Sequence, residues 1–205
     1  MGAADAFDQR AANAYFAEFQ TNFPQIQLLL SVKTAETVLG MLRNYDIELA
    51  IVSLPDQSER GMVVTPLVAD ELKLLLSPRH PLTRQETITV DDLRRERFLL
   101  HEPGSTSRQL TDEWAGKVGL PFDSVMELGA IETMKEAVKC NMGIAVLPRR
   151  SVIRETETGE LLQRDLPAYD NRRHICLVYR DEELLSTNAR LFMQTLLDRI
   201  EQAPA

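Results

Sequence analysis

Hydrophobic positions along this chain switch repeatedly between a helical and a strand period. Phe7, Ala11, Tyr15 and Phe19 recur every fourth residue, one face of an amphipathic helix that Asp5 can cap and that closes at Phe23-Pro24. Ile26, Leu28, Leu30 and Val32 then alternate, which predicts a strand. Thr34 opens a second helix carrying Val38, Leu39 and Leu42. Leu49-Ala50-Ile51-Val52 is a continuous apolar run, as expected of a strand buried on both faces. The first 54 residues thus read helix, strand, helix, strand, the grammar of an α/β sheet with helices packed on it.

Residues 62–68 and 71–77 are strand-like, and Pro78 and Pro81 break the pattern after them. That break is the predicted lobe boundary. Thr89-Val90-Asp91-Asp92 resembles a capping box opening a short helix, and Phe98-Leu99-Leu100 is a short buried strand. A polar loop, 102–108, runs into a helix with Leu110, Trp114 and Val118, and Gly119 is placed as its C-terminal cap. Residues 124–128 alternate as a strand. Residues 131–140 form a helix with Met134, Ala137 and Val138 inward, and 143–147 is a buried strand stopped by Pro148. This middle section repeats the strand-helix grammar and predicts a second α/β lobe. Residues 161–166 and 174–180 are strands. Ser186 caps a last helix whose Ala189, Phe192, Met193, Leu196, Leu197 and Ile200 make a clean helical stripe.

The length of 205 residues, at roughly 150 per domain, fits one large domain or two small lobes. Hydrophobic residues make up 44 % and charged residues 26 %, a globular balance that excludes a disordered tail or a disulfide-knotted toxin. Only 6 % is aromatic, so no core of stacked rings is expected. Acidic residues number 31 against 23 basic ones, a net charge of −8. That argues against this chain alone gripping nucleic acid, which needs a concentrated basic face, but leaves room for a small anion in a local pocket. Cys140 and Cys176 fit no zinc spacing. They read as two buried thiols in a reducing cytosol, with a redox switch as the alternative. The first ten residues have no signal-peptide character, and no run approaches the ~18 apolar residues of a membrane helix. A cytoplasmic protein without a membrane partner is expected.

No Gly-x-Ser-x-Gly elbow, His-Glu-x-x-His, phosphate-binding loop or Gly-x-Gly-x-x-Gly is present, so neither catalysis nor a metal or cofactor is expected. The loop Pro103-Gly104-Ser105-Thr106-Ser107-Arg108 is different. It gathers three consecutive hydroxyls, a guanidinium and the N–H groups of a helix start, which together suit a small anion or polar ligand. A plain Ser/Thr cap beside a solvated arginine is the equal alternative. Ser31-Val32-Lys33-Thr34 and Gly129-Ala130-Ile131-Glu132-Thr133 also follow strands, and Ser53 ends a third. Ligands of open α/β sheets bind outside the carboxyl ends of strands. Simple capping is the alternative for each of these residues taken singly.

These segments, in register, resemble the effector-binding domain of LysR-type transcriptional regulators. Phe23-Pro24, the Glu48–Ile51 strand, the Pro78–Leu82 turn, the Glu102–Arg108 loop, Asn141–Pro148 and Ser186–Phe192 carry the resemblance, which covers about the whole chain. It implies a periplasmic binding protein type 2-like fold, two Rossmann-like α/β lobes joined by two crossover strands. Residues 1–77 with 174–205 would form one lobe and 78–173 the other. It also implies a small-molecule effector in the interlobe cleft, held by Ala4, Ser31, Lys33, Thr34, Ser53, Ala130 and Ile131, with Ser105, Thr106, Ser107 and Arg108 nearby. Homodimers are implied as well, with Tyr15 and Phe19 on one contacting helix and Met134 and Val138 on the other. The full-length protein would be a tetramer that binds DNA through an N-terminal domain this chain lacks. A solute-binding protein of a transporter is the alternative with the same fold.

Two departures stand out. Ala3-Ala4-Asp5-Ala6 replaces hydroxyl residues common in the family, and Asn141 replaces a glycine. The chain therefore reads as an effector domain without most of its first strand. Lys33 and Arg108 add positive charge where Asp5, Glu36 and Glu132 subtract it. A carboxylate or other small anion is expected rather than a polyphosphate.

Overall fold

The computed structural model describes residues 9–202, with side chains from 14 onward. Asp5, Phe7 and Ala4 lie outside the described residues, as does the side chain of Ala11. The chain divides into two compact units, one running to Asp70 and resuming at Arg172, the other Glu71–Asn171.

The first unit holds α1 (Gln9–Asn22), α2 (Ala35–Arg43), β1 (Ala50–Leu54) and β2 (Val63–Ala69). From the end of the chain it adds β8 (His174–Tyr179) and α7 (Thr187–Glu201). Its sheet has the order β1-β8-β2, with both neighbours antiparallel to β8. Alternation along β8 builds two cores at once, because successive side chains leave a strand on opposite faces. Leu177 and Tyr179 join Tyr15, Phe19, Met193 and Leu196 on one face. Cys176 and Val178 join Leu39, Leu42 and Val52 on the other.

Aromatic residues are few but concentrated. Tyr15, Phe19 and Phe192 meet edge to face or tilted, with Phe16 and Phe23 beside them. The Tyr15 hydroxyl donates to Phe192 O at 2.9 Å. A chain-wide average hid this ring cluster, which is the reverse of what composition predicted.

Residues 26–34 are not a strand. Ile26 is buried and Leu28 packs on the first core, but Leu29 and Val32 are 88 % and 91 % exposed. Alternation supplies an apolar face, but a strand also needs a neighbour for its N–H and C=O groups. No described strand pairs with this segment.

The second unit holds β3 (Leu72–Leu76), α3 (Val90–Leu93), β4 (Phe98–His101), α4 (Thr106–Val118) and β5 (Val125–Leu128). It continues through α5 (Ile131–Lys139), β6 (Ile144–Pro148), α6 (Ile153–Glu157) and β7 (Leu162–Arg164). The sheet order is β5-β4-β6-β3-β7, with β4 parallel to β5 and β6, and β3 antiparallel to β6 and β7. Both faces are covered, which explains the continuous apolar runs. Phe98, Leu100, Ile144 and Val146 pack against Leu110 and Trp114 of α4. Leu99, Ala145 and Leu147 pack against Met134 and Val138 of α5.

Because β3 hydrogen-bonds only within this second sheet, the division falls after Asp70 and Asn171. The proline pair expected to mark it lies seven residues later, inside the second unit. Tyr15, Phe19, Met134 and Val138 all turn into their own cores, so the helices that carry them would meet a partner through other side chains. Cys176 is buried, and that burial pushes its thiol up to about 11, but Cys140 is exposed rather than buried.

Predicted caps at Thr34, Thr89 and Ser186 accept backbone N–H bonds as expected, and Thr89 completes a capping box with Asp92. Gly119 ends α4 in the left-handed region. Asn141 ends α5 at φ +57°, with its N–H bonded to Val138 O and that of Met142 to Ala137 O. That is a Schellman end, and asparagine is the side chain that best replaces glycine there. Gly143 is constrained by space instead: a Cβ would stand 2.6 Å from Arg97 O, which accepts the Ile144 N–H. Gly143→Ala is expected to cost about 1–3 kcal/mol in urea unfolding by forcing β6 off β4. Asn141→Gly should stay within about 0.5 kcal/mol.

Candidate functional site

In the second unit, parallel β4 and β5 deliver their carboxyl ends to one sheet edge, and α4 and α5 start from it. The two following loops are adjacent, since a Cβ on Gly129 would lie 3.4 Å from Glu102 Oε2. Ser105, Thr106, Ser107, Arg108, Ala130 and Ile131 are thereby brought to one edge. Neither helix start is capped by a side chain. Ser105 occupies the N-cap of α4 but its hydroxyl makes no cap bond, and Ala130 at the N-cap of α5 has none to offer. Thr106 and Ser107 are buried in the first turn of α4. Neither N-cap side chain satisfies the first N–H groups of its helix, and the helix dipoles place partial positive charge there.

Arg108 is neither a solvated side chain nor a free cation. Its Nε donates to Asp112 Oδ1 and Oδ2 at 3.0 and 2.8 Å, and Nη1 to His101 O at 2.9 Å and Glu127 Oε1 at 2.8 Å. Burial works against its charge, but the Glu127 and Asp112 carboxylates outweigh that and hold the guanidinium above its ordinary range. Its work here is to brace the start of α4 against β4 and β5. Glu132, counted above as a negative charge, is paired with Lys135 at 2.8 Å. Lys135 is itself buried and also bonds Glu155 at 2.9 Å and Ser151 O at 3.2 Å, tying α5 to α6. With Arg108 paired, this edge offers a ligand hydroxyls and N–H dipoles beside the Glu102 carboxylate.

In the first unit, Thr34 caps α2, accepting from Thr37 N at 3.3 Å, while Ser31 and Lys33 are exposed. Ser53 lies near the carboxyl end of β1. Leu54 of β1 and Ala69 of β2 both pair with His174, the first residue of β8. The end of β1 therefore shares an edge with the two points where the chain leaves this unit and returns. At that edge Arg173 Nη2 donates to Ser53 Oγ at 2.8 Å, and Nη1 lies 2.6 Å from Asp70 Oδ2. Arg173 and Asp70 were missed in the sequence. The available signal was an Asp-Glu pair between two apolar strands, and an Arg-Arg-His run opening another.

The whole of residues 1–201 matches the model of the LysR substrate binding domain family. A "Probable RuBisCO transcriptional regulator" of Guillardia theta is 28 % identical over 184 residues, 87 % of this chain and 59 % of its own length. The "RuBisCO operon transcriptional regulator" of Allochromatium vinosum is 28 % identical over 88 % of this chain and 60 % of its own length. The chain thus spans about three-fifths of these relatives. Among solved structures, the regulatory domain of Synechocystis CcmR in complex with 2-PG superposes with a TM-score of 0.82 at 25 % identity, covering 98 % of this chain and 96 % of that one. The effector-binding domain of QuiR in complex with shikimate gives 0.80 at 17 %, covering 96 % and 93 %. The fold is accordingly the periplasmic-binding-protein type 2-like fold of these regulatory domains.

The buried pair beside α5 generates a pH prediction. Burial alone would raise the Glu155 carboxyl, but the bonds from Lys135 and its own backbone, with the charges of Lys135 and Lys139, hold it below its usual range. Its stabilisation is therefore present above the unfolded value of about 4.3 and is lost as pH falls through the lower folded value. Glu155→Gln should lower stability at pH 7 by about 1.5–3 kcal/mol. The loss should shrink below about pH 4, read from urea midpoints across pH.

Proposed function

The chain belongs to the LysR substrate-binding domain family, the effector-binding part of LysR-type transcriptional regulators, and from that premise we propose which residues meet the effector and of what class it is. The relatives are regulators, which disfavours the transporter reading and supports no enzymatic role. The effector is a small carboxylate or comparable anion. Ser105, Thr106, Ser107, Ala130 and Ile131 address it from the second unit; from the first come Ser31, Lys33 and Thr34, in the segment that leads into α2, and Ser53, near the carboxyl end of β1. Ala4 belongs to the same set by resemblance. The observation that carries this reading is the pair of helix starts at one sheet edge, neither capped by a side chain. The ligands in the CcmR and QuiR complexes, 2-phosphoglycolate and shikimate, are of the matching class. Arg108 acts as a brace and not as the anion's counter-charge. Occupancy of the site controls transcription by the longer protein, whose DNA contacts lie outside this acidic chain.

Calorimetric titration of the chain with 2-phosphoglycolate, shikimate and unsubstituted dicarboxylates tests this. Saturable binding of at least one is expected. Ser107→Ala or Ser53→Ala should weaken it roughly tenfold, the size of a lost hydrogen bond to a charged group. Thr34→Ala should do the same and also loosen α2. Unchanged affinity in all three variants would show that the ligand lies elsewhere. We also propose that the chain forms homodimers, through side chains other than Tyr15, Phe19, Met134 and Val138. Sedimentation at tens of micromolar should show a dimer, and a monomer there would overturn the assembly but leave the ligand reading standing.

A further inference from the structure

The Arg173 side chain touches both a proposed ligand residue, Ser53, and Asp70, where the chain leaves the first unit. We infer that it is a positioning residue that couples the Ser53 end of β1 to both crossings of the chain between the units. The inference rests on the reading of Ser53 as a ligand contact. Its physical basis is independent of that reading.

The chain leaves the first unit after Asp70 and re-enters at Arg172. Asp70 and the Arg173 side chain are 2 % and 7 % exposed, so their contact is shielded from solvent and salt. The backbone repeats the connection, with the Asp70 N–H donating to Arg173 O at 3.0 Å. This rung extends the β2-β8 ladder one step past Ala69 and His174. Outgoing and returning strands are thus clasped twice at their exit, once through backbone and once through charge.

The second prong of the guanidinium reaches the other neighbour of β8. Ser53 pairs in register with Ile175, two residues along the same strand, and its Oγ accepts from Nη2 at 2.8 Å. An arginine carries only donors, so this bond fixes the Ser53 oxygen as the acceptor and orients the hydroxyl. One rigid, planar group just before the central strand therefore holds β1 with one nitrogen and the aspartate that follows β2 with the other. Lysine could keep the charge opposite Asp70 but lacks the planar fork that meets both partners at a fixed spacing. A ligand that reorients Ser53 must act on the group that pins both crossings. A change at the crossings acts back on Ser53 by the same amount, since coupling free energy is reciprocal.

The test needs no ligand, so its failure is distinct from a failure of the ligand assignment. Ser53→Ala, Asp70→Asn and the double variant are made in the whole chain and unfolded in urea. Non-additivity of at least about threefold in the unfolding equilibrium constant is expected, as for residues sharing a partner. Repeating the cycle with Arg173→Lys should abolish it. If that variant does not fold, the charge-free pair Asp70→Asn with Arg173→Gln supplies a second background, in which Ser53→Ala should leave exchange at residue 70 unchanged. In the native background, hydrogen exchange of the Asp70 amide should speed up about tenfold in Ser53→Ala. It should return toward the native rate in Ser53→Thr, which keeps the hydroxyl; a merely structural contact would not follow the hydroxyl in this way. Additive substitutions, or an Asp70 amide indifferent to Ser53, overturn the inference.

Discussion

Every described backbone pairing in the first unit's sheet passes through β8, a strand that the chain supplies only after the entire second unit. β1 and β2 do not pair with each other; each pairs with β8 from one side. The two cores of that unit depend on the same strand, because Leu177 and Tyr179 fill one while Cys176 and Val178 fill the other. The first unit therefore cannot complete its sheet from its N-terminal residues alone. Contacts of such long sequence separation carry their loop-closure cost before any reward, which slows folding. The second unit, Glu71–Asn171, is continuous in sequence and has no such dependence. The same constraint puts Arg173 beside Asp70: a central strand entered from the other unit must begin next to the strand by which the chain left.

The two edges share an electrostatic design in which formal charges are consumed internally. Arg108 is held by Asp112 and Glu127, Lys135 by Glu132 and Glu155, and Arg173 by Asp70. A buried ion pair of this kind adds little net stability, since desolvation offsets most of the attraction. It does fix geometry, because removing either partner strands the other charge. Arg108 shows the consequence. Its two carboxylates and the His101 carbonyl bind α4, β5 and β4 into one frame, and that frame aims the first turn of α4 at the sheet edge.

Much of the fold was legible because it is written in periods. Phe98-Leu99-Leu100 and the run after Gly143 read as strands buried on both faces, and they are. Thr34, Thr89, Ser186 and Gly119 act locally, so their caps could be placed from neighbours in sequence alone. Three things could not. The 26–32 alternation mimics a strand, but whether its backbone finds a neighbour is a property of the sheet. The domain boundary follows hydrogen bonding of β3, which the Pro78–Pro81 break does not report. Clustering of the aromatic residues depends on α1 meeting α7, from opposite ends of the chain. At the site, sequence found the loops that reach the edge but not the state of their charges. Arg108 looks available until Glu127, nineteen residues on, is brought beside it by parallel pairing of β4 and β5.

That distinction bears on what the domain can discriminate. Formal charges would reward any anion, and would do so more strongly the higher its charge. Helix N–H groups and hydroxyls act over the length of a hydrogen bond and reward shape, because each must meet an acceptor placed within about 3 Å. An edge whose cations are already matched therefore selects by the arrangement of acceptor atoms rather than by total charge. Selectivity of this sort suits the effector we propose, one small acid among many of equal charge. Its affinity per contact is modest, of order 1 kcal/mol for a neutral hydrogen bond, so several contacts must form together. In the site we propose, several modest, simultaneous contacts make occupancy depend on the backbone positions of two helix starts at once, so a small ligand is coupled to both elements that carry it.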